Sequence, residues 1–123
     1  QWQEGYTDLV EQITKRFQPT DMPYISLGAL RFQPDQKNMM RERFGMDSWV
    51  NRAEMFKSSG GKMRYDQRLR EQMFQYIMKE FKNRDPRWKL FLCMETPETW
   101  INTTATNPFQ DKELRSLFKP VQL

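Results

Sequence analysis

Tyr24-Ile25-Ser26-Leu27-Gly28-Ala29-Leu30-Arg31-Phe32 is the stretch on which the fold class turns. Its opening is rich in β-formers and almost wholly apolar, as a strand covered on both faces of a parallel sheet requires. Leu90-Phe91-Leu92-Cys93-Met94, within Lys89 to Met94, is a second run of the same kind. Helical patterns separate the two, and buried strands alternating with helices read as parallel βα units. Two strands do not make a stable sheet alone, so the pattern fits the last part of a larger α/β sheet or partial barrel, or a domain that borrows strands from a partner. Gly28 stands near the end of the first run, where a ligand or a tightly packed crossover would each need a missing Cβ. Because ligands of α/β folds sit at the carboxyl ends of strands, Gly28 to Arg31 is a candidate site wall.

On the N-terminal side, Gln1 to Phe17 reads as an amphipathic helix. Trp2, Tyr6, Leu9, Val10, Ile13 and Phe17 recur at steps of three and four and are expected to face the core. Pro19 stops it, and residues 20–23 form a loop. On the C-terminal side, Pro34 suits a helix start and Gly45 a helix stop. Asp35 at one end and Arg41 and Arg43 toward the other agree with the helix dipole. Met39, Met40 and Phe44 make a short apolar stripe, with the methionine pair expected as core filler. Asp47 to Arg52 supports no assignment. Ala53 to Phe56 reads as extended, pairing through Ser58–Gly61 with Lys62 to Tyr65.

Asp66 can cap a long helix reaching about Lys82. Its inner face is Leu69, Met73, Tyr76, Ile77 and Phe81, with Arg68, Arg70, Glu71, Lys79 and Lys82 toward water. Asp85-Pro86 breaks it. Past the second strand, Thr96-Pro97 opens a helix that turns Trp100 and Ile101 inward. Residues 102–107 read as a polar loop, and Asn107-Pro108 introduces a last helix with Phe109, Leu114, Leu117 and Phe118 on its apolar side.

With 123 residues the chain is expected to form one domain over 1–123. Nine Phe, four Trp and four Tyr argue against disorder. No apolar run is long enough to span a membrane and no signal pattern leads the chain, so no membrane partner and a cytoplasmic setting are expected. The start at Gln1 rather than Met is what an excised or processed domain would show. One cysteine and no histidine exclude an intrachain disulfide, and also a zinc or cysteine-ligated iron–sulfur site built from this chain alone. Cys93 has no cationic neighbour beside it in sequence and is expected as a buried structural thiol. With no histidine and no G-x-x-x-x-G-K or G-x-S-x-G pattern, no catalytic residue is assigned. Glu95 and Glu98 straddle a strand end and a helix start, where carboxylates serve the helix dipole.

The net charge of +4 is uneven. Residues 31–70 carry ten Lys or Arg against five Asp or Glu, a local +5, while the rest sums to −1. Inside that segment lies Ser58-Ser59-Gly60-Gly61-Lys62-Met63-Arg64-Tyr65, a glycine turn handing over to cation, thioether, cation and phenol. An extended Lys62 to Tyr65 would put Lys62 and Arg64 on one face and Met63 and Tyr65 on the other. A charged edge backed by an apolar blade can touch phosphates and bases together, and it can equally be a solvated surface hairpin.

Three of these stretches, Tyr24 to Phe32, Gly61 to Tyr65 and Phe91 to Trp100, occur in an order and at spacings that resemble the C-terminal part of spore photoproduct lyase and its relatives. The resemblance covers roughly Tyr6 to Trp100. It implies an α/β fold, the C-terminal portion of a partial (βα) barrel with few parallel strands, flanking helices and a β-hairpin. Those relatives are radical-SAM DNA-repair enzymes that use S-adenosylmethionine and a [4Fe–4S] cluster to reverse a thymine photoproduct. Their cluster cysteines, hydrogen-donating cysteine and nearby tyrosines belong to the upstream region, and Cys93 matches none of them. The resemblance therefore implies no cofactor held by this chain alone and no activity of it in isolation.

It implies instead an upstream barrel domain, in cis or in trans, and DNA with a pyrimidine photoproduct as partners. Arg64 and Tyr65 match the family's arginine–tyrosine pair that wedges into the duplex beside the flipped lesion. A planar cation and an aromatic are chemically suited to that gap. Lys62 would meet a neighbouring phosphate, and Gly28 and Arg31 would lie near the adenosyl group. Ser58-Ser59 departs from the family's usual turn residues, and Thr103 to Leu123 carries no matching pattern. The alternative is a stand-alone interaction module whose basic hairpin docks an acidic partner or faces solvent.

Overall fold

The computed structural model describes residues 2–45, 55–57, 61–105 and 107. The chain reads as one domain, but its contacts divide between two compact units, Gln1–Gly28 with Glu71–Leu123, and Ala29–Arg70. The division falls inside the stretch expected to be one strand. Ile25–Leu27 (β1) and Arg31–Phe32 (β2) are separate strands in separate sheets, parted at Gly28-Ala29-Leu30.

In the first unit, β1 pairs in parallel with Leu90–Leu92 (β5), Ile25 opposite Leu90 and Leu27 opposite Leu92. Backbone bonds from Ile25 N–H to the Lys89 carbonyl (2.8 Å) and from Cys93 N–H to the Leu27 carbonyl (2.6 Å) bracket the ladder. Only β5 is buried along its whole length. Ser26 is exposed, so β1 is not covered on both faces as its composition suggested.

Helix α1 (Trp2–Arg16) buries Val10 and packs Tyr6 and Ile13 against the core of Ile77, Phe81, Trp88 and Leu90. The apolar stripe is narrower than its spacing suggested, because Leu9 and Phe17 are exposed. Trp2 meets the Tyr76 ring edge-on at 5.4 Å, and Thr7 Oγ1 shares a hydrogen bond with the Tyr76 hydroxyl, tying α1 to the long helix. Phe81 and Trp88 stack edge to face at 5.5 Å. Trp88 is a core residue that periodicity does not reveal. It sits between Arg87 and Lys89, in a turn rather than on a patterned element.

The long helix α3 (Gln67–Arg84) starts where expected, with the Asp66 carboxylate accepting from the Leu69 N–H at 3.3 Å. It ends two residues before Pro86, which cannot continue it. The Arg87 side chain and backbone N–H both bond the Asp85 carboxylate, the side-chain bond most of all, and hold it below the ordinary aspartate range. A carboxylate depressed in this way contributes above its unfolded pKa and loses its contribution as the pH falls through the folded one. This turn therefore loosens in acid and not near neutrality. Arg70, expected in water, is buried and donates from its guanidinium to the Tyr65 carbonyl.

After β5, Met94 takes a positive φ of 58° and the chain enters α4 (Pro97–Thr104). Thr96 Oγ1 caps this helix by accepting the Thr99 N–H at 3.2 Å, with Pro97 in the first turn. Thr96→Ala is expected to remove about 1 kcal/mol of stability, read as a shift in urea midpoint at unchanged slope. Trp100 is buried but Ile101 is exposed, and residues 102–104 are helical rather than loop. The expected last helix and the Asp47–Arg52 segment lie outside the described residues.

In the second unit a three-stranded antiparallel sheet runs in the order β2, β4 (Met63–Arg64), β3 (Phe56–Lys57). Helix α2 (Gln36–Phe44) follows β2 and ends at Gly45, whose φ of 80° a side chain would resist. The stripe on α2 is not core. Met39 and Phe44 are exposed and Met40 is half-buried. Among the described residues, no helix is long and apolar enough to cross a membrane. The fold is mixed α/β, with a sheet of two parallel strands and a second, antiparallel one.

Candidate nucleic-acid interface

The Ala29–Arg70 unit begins two residues before the basic segment found by counting charge and ends with it. The local +5 is therefore the charge of one compact body.

The pairing within this unit places its arginines. Strand β4 is the middle of three, so Arg64 is opposite Arg31 on one side and Phe56 on the other. Directly opposed residues of antiparallel strands point to the same face, and neighbouring strands lie about 4.8 Å apart. Arg31, Arg64 and Phe56 thus form a row, cation beside cation beside aromatic. Arg64 is 8% exposed, Arg31 is half-buried and Phe56 is 49% exposed. A phosphate oxygen lying between two guanidiniums can accept a charge-assisted hydrogen bond from each.

The hairpin differs from its expected form. Strand β4 spans only Met63–Arg64, and Lys62 and Tyr65 flank it in irregular backbone. Arg64 is not an outward tip, because strands on both sides hold it in the middle of the sheet. Lys62 and Tyr65 are half-buried, and the Tyr65 carbonyl is held by Arg70. Gly61 has the expected positive φ, at 80°, and Ser58 to Gly60 lie outside the described residues.

Gly28 and Arg31 fall on opposite sides of the division, Gly28 in the first unit and Arg31 in the second. A Cβ at Gly28 would sit 3.6 Å from the Cys93 Cβ, an ordinary contact. Crossover packing therefore does not demand a glycine there. Cys93 is exposed, which corrects the expectation of a buried thiol. It sits just past the end of β5. No group of three His, Cys, Asp or Glu that could hold a metal ion occurs among the described residues.

Sequence reasoning singled out Arg31, Arg64 and Tyr65 but did not bring Arg31 and Arg64 together, and it overlooked Phe56 as a surface aromatic. The β3–β4 pairing is local and follows from the glycine turn. The β2–β4 pairing joins distant segments, and no short pattern announces its register. Comparison with protein-family models, curated proteins and solved structures found no match to this chain.

Proposed function

We propose that this chain is the DNA-contacting, barrel-completing C-terminal portion of a radical-SAM lyase that repairs a pyrimidine photoproduct, working in the cytoplasm with an upstream barrel domain. The observation that carries the reading is the confinement of the positive excess to one compact unit whose sheet sets Arg31 opposite Arg64. Polyanions are drawn to such a body, and the paired guanidiniums suit a phosphodiester. Phe56 and Tyr65 add ring faces on which a base can stack. In this account Arg64 is a fixed cation at the base of the contact, Tyr65 reaches the bases and Lys62 meets a flanking phosphate.

The barrel part of the reading draws support from β1 and β5. Three-residue parallel strands in a two-stranded sheet fit a sheet that continues into neighbouring strands. S-adenosylmethionine and the [4Fe–4S] cluster belong to the upstream region in this proposal. Gly28, at the carboxyl end of β1, is the residue we place near the adenosyl group, and Arg31 we move from that role to the phosphate face.

The test is the salt dependence of duplex binding by the 123-residue chain, followed by fluorescence anisotropy. Engagement of about two phosphates, one between Arg31 and Arg64 and one at Lys62, predicts roughly a twelvefold loss of affinity between about 50 and about 200 mM salt. No lyase activity is expected of the chain alone. Failure to bind duplex at the lower salt would sink the proposal.

A further inference from the structure

We infer that the groove between β2 and α2 holds a single nucleic-acid strand, a contact separate from the duplex contact of the Lys62–Tyr65 hairpin. The inference rests on the nucleic-acid reading above and extends it to a second surface of the same unit.

The groove is lined by Arg31 and Phe32 of β2 and by Gln36, Met39, Met40, Arg43 and Phe44 of α2, together with one acid, Glu42. The helical contributors recur at intervals of three and four, so they form one continuous face of α2. An amphipathic helix usually buries such a face. Here Met39 and Phe44 are exposed instead, Phe44 by 60%. The face is capped at one end by the sharp stop at Gly45, which holds Arg43 and Phe44 at the last turn.

Charge and shape together point to the occupant. Two guanidiniums, Arg31 and Arg43, are set along a groove that also offers a phenyl ring and adaptable thioethers. A single nucleic-acid strand presents phosphates at regular intervals and flat bases between them, and it uses both kinds of group. An acidic peptide would satisfy the cations and leave the exposed ring without a matching face. A duplex keeps its bases stacked and would use the cations alone. Arg31 also belongs to the row shared with Arg64, so one cation borders both surfaces. A strand leaving an opened duplex at the hairpin would meet the groove through it.

The experiment measures binding of a labelled twelve-nucleotide oligo-dT and of a duplex of equal length to the 123-residue chain. Wild type is compared with Arg43→Ala/Phe44→Ala and with Phe44→Trp. Both positions are exposed at the end of a helix, so the double variant is expected to melt like wild type. The inference predicts that the double variant binds oligo-dT at least about tenfold more weakly and duplex within about twofold of wild type. Phe44→Trp, which keeps a stacking surface, should retain or tighten oligo-dT binding. Unchanged oligo-dT affinity in the double variant overturns the groove assignment while the duplex reading stands. Displacement of oligo-dT by polyglutamate at equal charge overturns it in favour of an acidic peptide. Wild type that binds neither nucleic acid removes the underlying reading as well.

Discussion

Phe81→Ala should cost the chain about 3–5 kcal/mol of unfolding free energy. Phe81 is 2% exposed and meets the Trp88 ring edge-on at 5.5 Å, inside the cluster completed by Val10, Ile77 and Leu90. Truncation removes the transfer free energy of a phenyl ring and leaves a void beside Trp88. That indole is held by the short turn between α3 and β5 and has little freedom to collapse into it. The same cluster receives α1 through Tyr6 and Ile13 and both parallel strands through Ile25, Leu27 and Leu90. The loss should therefore appear as one cooperative shift of the first unit's transition in urea. Leu9→Ala is the matched control. Leu9 lies beside Val10 and looks equally apolar in sequence, but it is 51% exposed, and its truncation should stay within about 0.5 kcal/mol. A Phe81→Ala cost below about 1 kcal/mol would contradict this description of the core.

The contrast between Leu9 and Phe81 marks where sequence reasoning held and where it did not. The long helix, its Asp66 start, its stop before Pro86, the Thr96-Pro97 entry and the Gly45 exit were all legible, because each is decided by a few neighbouring residues. Parallel pairing of the two apolar strands was legible too. The division of Tyr24–Phe32 was not. Gly28 was recognised as a special position, but that β2 leaves to join an antiparallel sheet depends on β4, far along the chain.

Exposure was the other failure. Met39, Phe44, Cys93 and Ile101 are apolar by type and placed outward by the fold. Arg64 and Arg70 are charged by type and buried. Hydrophobic spacing states which residues share a face, and only packing states whether that face is covered. At the candidate interface the residue types were visible in advance, and the row that joins Arg31, Arg64 and Phe56 was not.

Replacing Arg64 and Tyr65 together by alanine should weaken duplex binding by at least about thirtyfold, the joint loss of a fixed phosphate partner and a stacking ring. It should also flatten the salt dependence by about one phosphate contact. Arg64 lies in the middle strand, so its removal also disturbs the sheet. Tyr65→Ala alone and Arg64→Lys separate the two effects. Tyr65→Ala changes a position outside β4 and removes the stacking ring. Arg64→Lys keeps the charge and loses the planar, two-pronged geometry that a phosphodiester between Arg31 and Arg64 would use.

The most direct measurement is the anisotropy titration of a fluorescent duplex with wild type, Tyr65→Ala and the Arg64→Ala/Tyr65→Ala double variant. It is run at the two salt concentrations, with circular dichroism to establish that each protein is folded. The account predicts a graded loss, largest in the double variant, and a shallower salt slope wherever Arg64 is gone. Equal affinity and equal slope for all three folded proteins would contradict it.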